Sequence, residues 1–213
     1  MKLGLIADIH GDSVALRKAL DLLQARGVEQ IVCAGDMVNK GSDADGVIAL
    51  LKQQAIPMVQ GNHDVDACAD GFILVYRNER DGIEESFTLK LSVNMQSYLS
   101  TLPLALKFEW ENTRIHITHA STWDQITLLS PDADPERFRR VAQEADADVI
   151  IVGHTHIPMI AVVGDQMIVN PGCVYYGYPE FKSTCAILSL PERDVTFLDV
   201  DTGAEIEPER MRL

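Results

Sequence analysis

The sequence predicts an α/β protein built on a parallel sheet. Two observations carry this: short apolar runs alternate with amphipathic stretches of helix length, and residues able to do chemistry fall where the apolar runs end. Leu3 to Ala7 is a continuous apolar run, the pattern of a strand buried on both faces. Gly11-Asp12-Ser13 supplies turn and N-cap chemistry. Leu16, Ala19, Leu20 and Leu23 follow at helical spacing, and Gly27 stands where a C-terminal cap belongs. Gln30 to Ala34 reads as a second strand ending at Gly35-Asp36. Asp43 to Gln54 reads as a helix that buries Val47, Ile48, Leu50 and Leu51. Ile56 to Val59 reads as a third, short strand ending at Gly61-Asn62-His63-Asp64. A β-α-β-α-β order of this kind predicts parallel pairing.

Beyond Val65 the pattern changes. Short strands are expected at Ser86 to Lys90 and Leu106 to Trp110, with a helix near Met95 to Leu102. Arg114 to Thr118 is a strand ending at His119. Asp134-Pro135 opens a helix with a cap and a first-turn proline, and Phe138, Val141 and Ala142 form its apolar face. Val149 to Val152 is a strand ending at Gly153-His154-Thr155-His156. The tail reads as an antiparallel sheet of Met159 to Val163, Gln166 to Val169, Thr184 to Leu190 and Val195 to Val200, with turns at Gly164-Asp165 and Pro191-Glu192. No internal repeat or linker interrupts the pattern, so residues 1–213 are read as a single domain.

Composition narrows the function. A formal charge of −14 disfavours a broad nucleic-acid surface and an anionic membrane face. It leaves room for a small phosphorylated substrate, because bound cations reverse the local sign. No apolar run approaches the ~20 residues of a membrane helix. Asp8 and His10 interrupt the first apolar run too early for a signal peptide, so a cytoplasmic protein is expected. Cys33, Cys68, Cys173 and Cys185 show no Cys-x-x-Cys spacing and read as small, mostly buried residues.

Metal-ligand residues end five predicted strands: Asp8-x-His10, Asp36, Asn62-His63, His119 and His154-x-His156. In open α/β sheets, sites form beyond the carboxyl ends of strands. Residues two apart on an extended segment point the same way, so Asp8 with His10 and His154 with His156 each form a pincer for a cation. Of the six histidines, only His116 lies elsewhere, within a strand, and it reads as structural. Each fragment alone has a plain reading as a capped turn or a polar loop. Their conjunction, in order and at strand ends, does not.

The series Asp8-x-His10-Gly11, Gly35-Asp36, Gly61-Asn62-His63-Asp64, Thr118-His119 and Gly153-His154-Thr155-His156 resembles the calcineurin-like metallophosphoesterase family. Asn170-Pro171-Gly172 is similar to a loop of its small bacterial and archaeal phosphodiesterase branch. The resemblance implies a four-layer αββα sandwich with two central mixed β-sheets. It implies that Asp8, His10, Asp36 and His156 hold one metal ion. Asp36, Asn62, His119 and His154 then hold a second, with Asp36 bridging. His63 matches a histidine that handles protons or contacts phosphate, and Asn62 and Lys40 complete the expected substrate contacts. The implied reaction is hydrolysis of a phosphodiester by direct attack of a hydroxide bridging the two ions, with no covalent enzyme intermediate. The alternatives are a phosphomonoesterase of the phosphoprotein or dinucleoside-polyphosphate type and, less favoured, a non-catalytic scaffold of the same fold. A homodimer is a further implication of the resemblance.

Carboxylate, imidazole and amide donors suit Mn²⁺ first, with Ni²⁺, Fe or Zn²⁺ as alternatives, and two such ions about 3.5–4 Å apart can clamp a phosphoryl group. Two positions depart from the family's pattern. Asn39-Lys40 stands where two branches have Asp-Arg, which disfavours their phosphoprotein and dinucleoside-polyphosphate substrates. Cys173 and the segment Tyr175 to Phe181 stand where relatives place Ser and a downstream Arg. Tyr175, Tyr176 and Tyr178 read equally as pocket walls, core or dimer contacts.

Overall fold

The computed structural model describes residues 1–77, 85–177 and 182–213. In chain order the elements are β1 (Lys2–Ile6), α1 (Ser13–Ala25), β2 (Gln30–Cys33), α2 (Ala44–Gln53), α3 (Asn62–Asp70), β3 (Phe72–Arg77), β4 (Glu85–Lys90), α4 (Val93–Leu99), β5 (Ala105–Trp110) and β6 (Thr113–Thr118). There follow α5 (Pro135–Ala145), β7 (Val149–Ile151), β8 (Met159–Val163), β9 (Gln166–Asn170), β10 (Thr184–Ser189), β11 (Asp194–Asp199), β12 (Glu205–Ile206) and β13 (Glu209–Arg212). One sheet has the order β12-β11-β10-β1-β2 and the other β13-β8-β9-β7-β6-β5, while β3 and β4 form a separate two-stranded hairpin.

The alternation of side chains along each strand explains the layering. Leu3, Leu5 and Val32 of the first sheet meet Ile115, Ile117, Val149, Ile151 and Val169 of the second, forming the layer between the sheets. Ile6, Cys33 and Cys185 point the other way and are covered by Leu16, Leu20 and Leu23 of α1 and Val47 and Leu51 of α2. On the far side, Phe138, Val141 and Ala145 of α5 cover Ile150, Met159 and Ile168. These are the four expected layers. Helix starts follow the polar caps: Asp12 accepts from Ala15 N at 2.9 Å, Asp43 from Gly46 N at 3.0 Å, and Asp134 from Glu136 N at 2.9 Å. His116 is buried on the α5 side of β6, its Nδ1 3.3 Å from the Ala145 carbonyl oxygen, in keeping with a structural role.

Several sequence expectations change. Ile56 to Val59 does not form a strand; it makes only the parallel bridge between Cys33 and Met58, since Pro57 has no N–H to extend a ladder. The segment after Gly61 is helix α3 followed by β3, both unforeseen: α3 has few apolar residues mixed with acidic ones, whereas β3 is the apolar run Phe72 to Tyr76, an overlooked strand pattern. Helix α4 starts at Val93 behind the Ser92 cap and ends at Leu99, short of Leu102. The tail is not one antiparallel sheet. The hairpin β8–β9 joins the second sheet and the hairpin β10–β11 the first, where β10 runs antiparallel to β1. Among the described residues, no helix is long and apolar enough to cross a membrane.

Candidate metal centre

β1 runs parallel to β2, and β6 parallel to β7, so the turns after these four strands carry Asp8, His10, Asp36, His119, His154 and His156 to one end of the sandwich. Asp8 ties the two sheets together: its Oδ2 accepts the His154 backbone N–H at 3.0 Å. Asp8 and His10 do face one group of donors, but His154 and His156 part, His154 towards His119 and His156 towards His10, and none of the four lies on extended backbone. Asp8 and His10 have φ of 53° and 49°, His154 and His156 of 68° and 61°, and Asp36 of 55°. Left-handed backbone at a non-glycine residue costs of order 1–3 kcal/mol and persists where the surroundings enforce it. For Asp8, His10 and Asp36 the enforcement is a backbone ladder between their two turns, with Ile9 N and His10 N donating to Asp36 O at 2.8 and 3.0 Å and Gly11 N to Met37 O at 2.8 Å.

Asp36 sits at the centre, 1% exposed. Its Oδ1 accepts the His63 backbone N–H at 2.9 Å from the first turn of α3. Its Oδ2 lies 3.3 Å from His119 Nε2 and 4.0 Å from both His10 Nε2 and His63 Nε2. The approach is so close that Gly61 admits no side chain: a Cβ there would collide with the Asp36 carboxylate. Asn62 and His63 therefore project not from a strand end, as expected, but from the N-terminus of α3.

Two groups of donors converge on this carboxylate. His10 Nε2 lies 3.2 Å from His156 Nε2 and 3.9 Å from Asp8 Oδ1, which is itself 3.3 Å from His156 Nε2. On the other side, His119 Nε2 lies 3.1 Å from Asn62 Oδ1, and His119 and His154 pack ring to ring at 5.1 Å. The second nitrogens are committed to backbone carbonyls: His10 Nδ1 to Val38 O at 3.3 Å, His119 Nδ1 to Ala34 O at 2.7 Å, and His154 Nε2 to Ile126 O at 3.1 Å. A carbonyl accepts only, so each of these nitrogens carries the hydrogen and the other nitrogen of the ring faces the cluster. Metal-binding histidines are commonly oriented this way.

The protonation states agree with such a centre. Burial pushes His10 down to about 3 and also lowers His154. Burial works to raise Asp8 and Asp36, but His156 holds Asp8 below the usual carboxylate range and His119 holds Asp36 well below it. His119 is the counterpart. Burial opposes its charge, yet Asp36 lifts it to about 10. Its proton is shared among the oxygens that a cation there would take. Two carboxylates, one amide and four imidazoles thus fit a pair of borderline divalent ions.

The calcineurin-like phosphoesterase superfamily domain matches residues 1–193. The chain belongs to the calcineurin-like phosphoesterase superfamily. This phosphoesterase is 28% identical over 173 residues to "Probable metallophosphoesterase" of Methanothermobacter thermautotrophicus, covering 81% of this chain and 76% of that one. It is 24% identical over 182 residues to phosphodiesterase YfcE of Escherichia coli, covering 82% and 79%. A metallophosphoesterase from Sphaerobacter thermophilus shares the fold with a TM-score of 0.71 at 22% identity, covering 98% of this chain and 90% of that one.

The departures in this phosphoesterase acquire a geometry. Asn39 Oδ1 accepts Leu74 N–H at 2.7 Å, which fixes the amide so that Nδ2 faces His63 Nδ1 at 3.0 Å. An Asn that donates there makes Nδ1 an acceptor and leaves the hydrogen on Nε2. Burial holds His63 below its ordinary value, and Lys40 adds to this. Lys40 and His63 line one groove at the rim. Cys173 is buried beside His10 and His156, its Sγ–H donating to Asp8 O at 3.1 Å. Tyr175 backs His10 with ring centroids 5.8 Å apart. Tyr176 is exposed, with Lys18 over its ring, and Tyr178 lies outside the described residues.

Two contributors escaped sequence reasoning. Asp64, fully buried, accepts from Met37 N, Val38 N and Gly61 N at 2.9, 3.2 and 2.9 Å and so joins the turn after Asp36 to α3. Its only signal was its place next to Asn62-His63. The carbonyl of Ile126 orients His154 from a loop without any sequence signal, because a backbone carbonyl is common to every residue.

Proposed function

We propose that this protein hydrolyses a phosphodiester with two divalent transition-metal ions, Mn²⁺ foremost. The observation that supports it best is Asp36, whose Oδ2 adjoins His10 on one side and His119 on the other. Asp8, His10, Asp36 and His156 would hold one ion, and Asp36, Asn62, His119 and His154 the other. When bound, such ions supply a Lewis acid for phosphoryl oxygens and a nucleophile drawn from water at neutral pH. The protein's own residues do the rest. Asp8, His10, Asp36 and His119 are buried and held by backbone hydrogen bonds, so the donors need no reorganisation. His63, half-buried at the opening, presents Nε2–H as a hydrogen-bond donor to a phosphoryl oxygen. Asn62 adds an oxygen without a charge that would repel the substrate.

The preference for a diester has a physical basis. A diester carries one negative charge at phosphorus, which the single point charge of Lys40 and one imidazole donor can meet. A monoester dianion is better gripped by the bidentate fork of an arginine, which this chain lacks at that place. The name of the Escherichia coli relative points the same way. Metal analysis of the purified protein, with turnover of bis(p-nitrophenyl) phosphate against p-nitrophenyl phosphate, tests the reading. About two ions per chain and faster diester hydrolysis are expected. A single ion at saturation, a faster monoester, or a metal-loaded protein without turnover would each overturn it, the last in favour of a scaffold.

A further inference from the structure

A groove of about 340 Å³ opens beside His63, lined by the polar Lys40, His63, Asp66 and Thr88 and the apolar Phe72 and Leu74. We propose that this groove receives an aryl or alkyl ester group of the substrate, so that the enzyme selects phosphodiesters whose non-leaving substituent is apolar. The inference rests on the phosphodiesterase reading and deepens it.

The hairpin β3–β4 belongs to neither main sheet, yet it is fastened to the rim of the site. Lys40 N donates to Leu74 O at 2.6 Å, Leu74 N donates to Asn39 Oδ1 at 2.7 Å, and Lys40 bridges Val75 in parallel. The wall of the groove is therefore held in register with Asn39, Lys40 and His63. Alternation along β3 sends Ile73 and Val75 into the core, while Phe72 and Leu74 face outward, 47% and 39% exposed. Isolated exposed apolar residues are ordinary. These two share one strand face and line the same groove as Lys40 and His63. Ligand sites are typically concave and largely apolar with a few placed polar groups, and this groove combines Phe72, Ile73 and Leu74 with Lys40 and His63.

The charge pattern separates an apolar substituent from an anionic one. Asp66 at the rim opposes a second negative group on the substrate. A larger groove of about 640 Å³ lies beyond Ile126 and carries Arg137, Arg139 and Arg140, but much of that charge is engaged. Arg139 pairs with Glu136 at 3.1 Å, Arg140 with Glu144 at 2.7 Å, and Arg137 donates to Leu128 O at 3.1 Å.

The test keeps p-nitrophenol as leaving group and varies the second ester: methyl, phenyl, or a chain ending in phosphate. With Mn²⁺-loaded protein, kcat/KM for the phenyl ester should exceed that for the methyl ester by about 10–100-fold, the range of hydrophobic pocket discrimination. Phe72→Ser should bring the ratio close to one by lowering kcat/KM for the phenyl ester. Calorimetry should show phenyl phosphate binding more tightly than methyl phosphate, with the difference lost in Phe72→Ser. Equal treatment of methyl and phenyl esters, or a ratio untouched by Phe72→Ser, overturns the groove assignment while leaving the phosphodiesterase reading intact. Preference for the phosphorylated ester overturns it in favour of the arginine groove. Failure to hydrolyse any of the three overturns the phosphodiesterase reading, and this inference with it.

Discussion

Asp36 and His63 show how much a single residue's surroundings decide. Asp36 Oδ2 lies beside a histidine ring of each donor group, His119 and His10, and its second oxygen is already committed to the His63 backbone N–H. Asp36→Asn should therefore cost more activity than any other single ligand change, and more than the ~10–100-fold typical of supporting residues at a metal site. Kinetics and metal content measured together check this; equal losses for Asn62→Ala at equal metal content would count against a bridging role. His63 is read here as a donor to phosphate rather than a source of protons, because Asn39 occupies Nδ1 as a donor. His63→Ala should slow nitrophenyl and alkyl diesters alike, by about 10²–10³-fold, as for loss of one hydrogen bond to a developing oxyanion. Metal content should not change. A general acid would instead show itself in slowing confined to the alkyl ester, whose leaving group needs a proton.

At the scale of the element, α3 is the piece that completes the site. Its first turn supplies Asn62, His63 and the N–H that holds Asp36, and its third residue, Asp64, anchors that turn from below. Burial raises Asp64 to about 7, with the charge of Asp36 adding to the effect, while three backbone N–H groups favour its ionised form. Asp64→Ala would leave the N–H groups of Met37, Val38 and Gly61 without their acceptor. With each buried unsatisfied group costing about 1–3 kcal/mol, a loss on the order of 3 kcal/mol is expected. Urea unfolding of the metal-free protein measures it directly. A change within the error of the extrapolation would show that Asp64 does not hold α3 in place.

For the whole molecule, the site lies across the join between the two sheets. Asp8, His10 and Asp36 follow strands of one, and His119, His154 and His156 follow strands of the other. Ions bound there would act as cross-links that only the folded state offers. Chelator should thus abolish activity and also lower Tm, since a ligand at 100 times its Kd stabilises by about 2.7 kcal/mol. Mn²⁺ or Ni²⁺ should restore both better than Mg²⁺, because imidazoles favour later transition metals over a hard, oxygen-seeking ion. Calorimetric scans and assays across the metal series check this, and full recovery with Mg²⁺ alone would contradict the assigned donor set.

The sequence by itself carried much of the strand and helix pattern and the potential metal donors, Asp8, His10, Asp36, Asn62, His119, His154 and His156, while the four layers came with the family resemblance. Continuous apolar strands such as Leu3 to Ala7 announce burial on two faces, the Asp12, Asp43 and Asp134 caps mark helix starts, and histidines at the ends of apolar runs mark one edge of the sheets. These are local properties, read from periods of two and 3.6 residues. Tertiary structure alone decided the remainder. The tail divides between two sheets because strand partners are chosen by long-range packing, which leaves no local trace. Asp8 and His10 lie on a left-handed turn, not an extended segment, because the backbone ladder between the turns after β1 and β2 overrides their local preference. The orientation of His63 depends on Asn39, and that of Asn39 on Leu74, which lies 35 residues further along the chain. A hydrogen bond over such a distance exists only once the fold has brought its ends together.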